Sequence, residues 1–232
     1  MADDLRQRMA LSLDVDDLVA AQRLAKRLKP WFGIAKVGLE LYSATGPDAV
    51  VSLTDLGFDV WCDIKLHDIP TTVGKAARVV GGLGARYVTV HTAGGVDMVR
   101  AGVEGLNAGA VGGGWPEPIA LGVTVLTSDR DAPPELLAQR IAVAVDAGCR
   151  GVVCAVPDVT EVSRRAPGLL TAVQGIRLAG TDAHDQGRVA TPEAALKAGA
   201  DIIGIGRAVT AAADPEAAAA TITDELVAAL TL

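Results

Sequence analysis

The stretch FDVWCDIKLHDIPTTVGKAARVV, residues 58–80, joins a strand to a helix through a very short connection. Its first eight residues, 58–65, form a brief apolar run of the kind that makes a buried strand. Pro70 fits the first turn of a helix, where the N–H it lacks has no intrahelical partner anyway. Beyond it, Val73, Ala76, Ala77 and Val80 share one helical face. A strand followed so closely by an amphipathic helix is one unit of an alternating β/α chain.

The same alternation extends in both directions. Further strands are predicted over 8–14, 31–37, 86–91, 118–126, 151–156, 169–173 and 201–206, each rich in Val, Ile or Leu. Between the first two, Leu18, Ala21, Ala25 and Leu28 recur at helical spacing, with Asp16 placed to cap that helix. Thr191-Pro192 and Asp214-Pro215 read as N-cap and first-turn pairs, and Ile222, Leu226 and Leu230 follow the second at intervals of four. The run GAVGGG, 109–114, reads as a glycine-rich loop before the fifth strand. Eight strands alternating with helices predict an α/β fold, a single-domain (β/α)8 TIM barrel over residues 1–232, with a doubly wound open sheet as the alternative.

Half of the 232 residues are hydrophobic but only 3% are aromatic, so the core is built from Ala, Val, Leu and Ile. A net charge of −7 argues against a nucleic-acid partner, which requires a basic face. It leaves room for one phosphate group, which a few local donors suffice to hold. Cys62, Cys149 and Cys154 are odd in number and irregular in spacing, which predicts reduced core thiols and a cytoplasmic setting. The start MADDLRQR has no apolar segment of a signal peptide, and no apolar run reaches the roughly 18 residues of a membrane span.

In a (β/α)8 barrel the chemistry sits at the C-terminal ends of the strands. Here those ends carry Asp14, Lys36, Asp63 with Lys65, His91, Thr127, then Arg177, and finally Gly206-Arg207. Side chains at i and i+2 share a strand face, so Asp63 and Lys65 point the same way. A single Asp/Lys pair is most simply a structural salt bridge. A second lysine, Lys36, on the neighbouring strand makes a gathering of charge that is costly without a purpose. Gly206 lets backbone amides approach an anion, and Arg207 offers a fork for phosphate at the usual barrel phosphate position. His67, His91 and His184 lack the spacing or companions of metal ligands and read as ordinary hydrogen-bonded histidines.

The run DIKLHDIPTTV (63–73) resembles the signature of the orotidine 5′-phosphate decarboxylases. The segments LDVDD (13–17), KVGLELY (36–42), VHTAGG (90–95), VTVLTS (123–128), GIR (175–177), DQGRVATP (185–192) and IGIGRAVT (203–210) resemble that family in the same order. The resemblance implies decarboxylation of orotidine 5′-monophosphate to UMP with no cofactor and no metal. It implies that Lys36, Asp63, Lys65 and Asp68 form an alternating charge network, with Lys65 the proton donor. Asp14 would bind the ribose or pyrimidine side, Thr127 the pyrimidine edge, and Ile69 and Thr72 the substrate. Arg177, Gln186, Gly206 and Arg207 would hold the phosphate. Asp68 and Thr72 would reach the site of a partner subunit in a homodimer. One departure stands out: the family often has Thr-Pro where this chain has Val173-Gln174 before Gly175. Two other readings remain open. A sugar-phosphate enzyme with an Asp-x-Lys-x-x-Asp core would depend on magnesium, and a non-catalytic phosphate-ligand sensor would show no turnover.

Overall fold

Strands β1 (Met9–Leu13), β2 (Ile34–Val37), β3 (Asp59–Leu66), β4 (Tyr87–His91), β5 (Ile119–Val123), β6 (Gly151–Cys154), β7 (Leu170–Val173) and β8 (Ile202–Ile205) follow one another around a closed barrel. Every neighbouring pair is parallel, and β8 closes on β1. The computed structural model describes residues 2–129, 131–177, 188 and 190–230. The architecture is therefore the (β/α)8 barrel rather than an open sheet, and each strand lies inside one of the eight apolar runs except β3, which runs one residue past its predicted end at 65.

The period of two sorts each strand into two faces. Leu11, Ala35, Val60, Val88, Val152 and Ile203 pack outward beneath the helices. Ala10, Ile34, Trp61, Tyr87, Ile119, Leu121, Val123, Val153, Ala172 and Ile202 fill the barrel. Two residues beyond Ala10, Ile34, Trp61 and Tyr87 come Ser12, Lys36, Asp63 and Thr89, all buried. The first four strands thus carry an apolar inner residue and then a polar one, while β5 and β6 stay apolar to their ends. The three cysteines are free and buried. Among the described residues, no helix is long and apolar enough to cross a membrane.

Several helix starts follow the sequence signals. The Thr191 hydroxyl accepts from Ala194 N at 3.1 Å, and Asp214 accepts from Glu216 N and Ala217 N at 3.1 Å each. The cap of Leu18–Leu28 is Asp17 and not Asp16: its carboxylate accepts from Ala20 N at 2.6 Å. With two adjacent aspartates, only the backbone path decides which one caps. In the last helix Ile222 and Leu226 are buried, whereas Leu230 emerges into solvent.

The expected loop at 109–114 is corrected. Residues 109–113 continue the helix Gly95–Gly113, and only Gly114 leaves it, in the left-handed conformation that ends helices. The reason is contact with the helix Pro70–Gly82. A Cβ on Gly105 would stand 2.1 Å from Gly74 O, one on Gly109 would stand 2.0 Å from Arg78 O, and one on Gly81 would stand 2.3 Å from Leu106 O. The two backbones touch directly, and only glycine allows that approach. Gly112 faces open space, with nothing within 4 Å of its would-be Cβ. Gly105→Ala should therefore destabilise the fold by about 1–3 kcal/mol through overpacking. Gly112→Ala should stabilise it by about 0.5–1 kcal/mol through helix propensity. Urea denaturation of both variants checks this pair, and equal effects would refute the packing explanation.

Candidate active site

Asp63 is the pivot of the barrel mouth. It follows Trp61 on the inner face of β3, and only 2% of its surface is exposed. The Lys65 ammonium lies 2.9 Å from its Oδ1, and the Lys36 ammonium, on β2, lies 3.5 Å from its Oδ2. Lys36 continues the chain to Asp14 at the end of β1, 3.4 Å away. Charges of alternating sign thus run Asp14, Lys36, Asp63, Lys65 across three neighbouring strands. Gly38 keeps the path clear, since a Cβ there would stand 2.9 Å from Asp14 Oδ1.

Two neutral donors complete the Asp63 shell. The Thr89 hydroxyl, from β4, lies 3.2 Å from Oδ1, and Gln174 Nε2 donates to Oδ2 at 3.0 Å. Burial pushes the Asp63 carboxyl up. The Lys36 and Lys65 charges, with hydrogen bonds from Lys65 and Gln174, outweigh burial and hold it below the ordinary carboxylate range. The carboxylate is therefore ionised although it is almost dry.

Lys65 reaches its place by a backbone irregularity. The β3–β4 register shifts between Cys62 and Leu66, and Lys65 adopts φ 49°, the left-handed region that side chains disfavour. Its N–H donates to the Thr89 hydroxyl at 2.8 Å. The simple i, i+2 argument thus reaches the right neighbour by the wrong geometry. Ile64, between the two charges, packs outward against the helix-facing core.

Two cavities open beside this chain. One, of about 100 Å³, is lined by Lys65, Thr127, Gln174 and the apolar Val123, Val125 and Val153. The other, of about 50 Å³, is polar and includes Ser12, Asp14, Gln174, Arg177, Gly206 and Arg207. Thr127 lies in the turn after β5, which ends at Val123 and not at 126. Arg177 lies beyond β7 and is buried, its N–H donating to Ala190 O at 3.0 Å. That bond and the Ile176–Ala190 bridge tie together the two ends of the segment between them. Gln186 and His184 lie outside the described residues. A roomier groove of about 480 Å³, lined by Pro134, Pro157 and Arg188 among others, stands apart from the charge chain.

Asp68, Ile69 and Thr72 are not brought to the charge chain. All three are exposed, Ile69 by 66%. Asp68 accepts from Ile69 N at 2.6 Å, and among the described residues no ion pair joins it to Lys36 or Lys65. Sequence reasoning missed Thr89 and Gln174. The signal for Thr89 was its position two residues beyond inward Tyr87. Gln174 gave none. His91 and His67 stack with centroids 5.5 Å apart, and His91 Nδ1 accepts from Ala93 N. Burial, then the charges of His67, Arg140 and Lys65, lower the His91 pKa and favour the neutral ring.

The charge chain stands at the C-terminal mouth of the (β/α)8 barrel. Residues 7–222 match the orotidine 5′-phosphate decarboxylase / HUMPS family. The chain belongs to that family. It is 44% identical over 227 residues to the orotidine 5′-phosphate decarboxylase of Anaeromyxobacter sp. (strain K), covering 93% of this chain and 96% of that one. It is 44% identical over 230 residues to the enzyme of the same name from Thermobifida fusca (strain YX), covering 94% and 95%. Among solved structures, an uncharacterized conserved protein from Geobacillus kaustophilus superposes with a TM-score of 0.78 at 33% identity, covering 94% of this chain and 99% of the other. Orotidine 5′-phosphate decarboxylase from Lactobacillus acidophilus gives 0.76 at 30% identity, covering 95% and 99%.

Removing the pivot should show in stability. Asp63→Asn leaves the two ammonium groups facing each other, one of them nearly buried, and should cost about 3 kcal/mol at neutral pH. Because the folded-state pKa of Asp63 is depressed, its contribution is full above the ordinary carboxylate value and fades as pH falls through the lowered one. The gap between wild type and Asp63→Asn should therefore close in acid. Urea titrations of both proteins at neutral and acid pH measure it, and a pH-independent gap would contradict the assignment.

Proposed function

We propose that this member of a carboxy-lyase family, acting as one barrel domain over residues 1–232, decarboxylates orotidine 5′-monophosphate to UMP and CO2. The observation that carries the reading is the convergence of Lys36 and Lys65 on one buried, ionised carboxylate beside an apolar cavity. Loss of CO2 from C6 leaves an electron pair in the plane of the pyrimidine ring, where no adjacent group delocalises it. A fixed cation is then the available stabiliser, and a preorganised one needs little rearrangement. Lys65 borders the cavity, so its ammonium stabilises the developing carbanion and then protonates C6. Asp63 stands beside the departing carboxylate and orients Lys65, while Lys36 holds Asp63.

The remaining roles follow the two cavities. Thr127 meets the pyrimidine edge, and Asp14 the ribose side. Arg177, Gly206 and Arg207 line the polar cavity and take the phosphate, together with Gln186. Phosphate binding, remote from C6, supplies energy for the chemical step. With ammonium groups facing both oxygens of Asp63, a divalent cation has a poor ligand there, which favours the nucleotide reading over the magnesium-dependent one. The deciding experiment adds orotidine 5′-monophosphate in EDTA and follows the pyrimidine absorbance. Turnover supports the proposal, and activity that appears only with magnesium refutes it. Lys65→Ala should lose at least about a hundredfold in kcat while calorimetry still shows UMP binding. A variant keeping a tenth of wild-type kcat would remove Lys65 from the mechanism.

The exposed Asp68, Ile69 and Thr72 support a homodimer in which Asp68 and Thr72 complete the neighbour's site and Ile69 touches its substrate. A twofold pair is the commonest closed assembly. Mixing inactive Lys65→Ala with inactive Asp68→Ala should then restore activity as subunits exchange, since one site per mixed dimer keeps both native residues. No recovery in mixed dimers verified by mass spectrometry would mean that Asp68 serves its own subunit.

A further inference from the structure

Gln174 follows the last residue of β7, and its partner Asp63 lies on β3, diametrically opposite in an eight-stranded barrel. The side chain therefore crosses the mouth. Gly204 on β8 leaves the room: a Cβ there would stand 3.3 Å from Gln174 Cγ and 3.7 Å from the Trp61 ring. Gln174 thus lies above the aromatic floor of the barrel. Gln174 is also the residue common to the linings of the apolar and the polar cavity. No other described residue lines both.

We propose that Gln174 is a positioning residue, a strut whose carboxamide fixes the Asp63 carboxylate and forms the wall between the cavity for the base and the cavity for the phosphate. The proposal rests on the decarboxylase reading for its kinetic consequence. A carboxylate with two oxygens has freedom to rotate between two ammonium groups. Lys65 and Thr89 hold Oδ1, while Oδ2 has Lys36 at a loose 3.5 Å and Gln174 at 3.0 Å. The short neutral bond sets the plane of the carboxylate, and so the direction in which Lys65 presents its proton.

Two variants of equal length separate this role from mere packing. Gln174→Met keeps the bulk and removes the donor. It should lower kcat by about tenfold, the scale of a hydrogen bond to a charged group, with KM changed less than about threefold. Gln174→Glu places a second carboxyl against Asp63, in a shell that also holds Lys36 from β2, Lys65 from β3 and Asp14 behind Lys36, with Arg177 and Arg207 lining the polar cavity on its other side. As pH falls, two carboxyls so close take up one shared proton, which rebuilds a donor to Oδ2 and returns the pair to a single negative charge.

Gln174→Glu should therefore be poorer than Gln174→Met at about pH 8 and overtake it towards about pH 5, a rise of about tenfold in their kcat ratio. The ratio of their urea midpoints should move the same way, and that readout needs no turnover. A wild-type protein without activity on orotidine 5′-monophosphate would defeat the functional proposal alone, leaving the stability ratio to judge Gln174. Wild-type kcat in Gln174→Met, or a flat Glu-to-Met ratio in both kcat and stability, overturns the strut.

Discussion

A carboxylate cannot be removed from water alone, and the arrangement of the barrel mouth follows from satisfying Asp63. At 2% exposure it needs an opposite charge and a donor for each oxygen. Lys36 and Lys65 provide the charge, Thr89 and Gln174 the neutral donors. These four come from β2, β3, β4 and the end of β7, so the requirement is met only when the barrel is closed. Gly38 and Gly204 are small because the groups that reach Asp63 pass beside them. Site and fold are therefore one cooperative unit.

The same mouth is divided in composition. β1 to β4 turn polar above their apolar inner residues, whereas β5 and β6 present Val123 and Val153. A flat ring bearing a reacting carbon on one side and little charge on the other matches such a division. In the proposed reaction, the apolar half would also keep out water that screens the ammonium groups.

Much of this was legible from the chain. Short Val- and Ile-rich runs gave all eight strands, because a parallel barrel buries both strand faces and leaves an unbroken apolar signature. The residues at their ends gave Asp14, Lys36, Asp63, Lys65 and Arg207. Local sequence failed where the cause was tertiary. The glycines of 109–113 look like a loop, and become helix only because another backbone lies against them. Gln174 looked like a departure from a motif, because its partner lies across the barrel, 111 residues away. Asp68 and Thr72 face solvent, and sequence had no means to say where they point.

Lys65 has a further consequence for how this protein tolerates change. Its backbone at φ 49° is held where glycine or asparagine would rest with less strain. Backbone strain and the ion pair with Asp63 therefore pull position 65 in opposite directions. Glycine there would relieve the strain but strip the nearly buried Asp63 carboxylate of its nearest cation. Any attempt to harden this barrel must keep residue 65 fixed and seek its gains elsewhere.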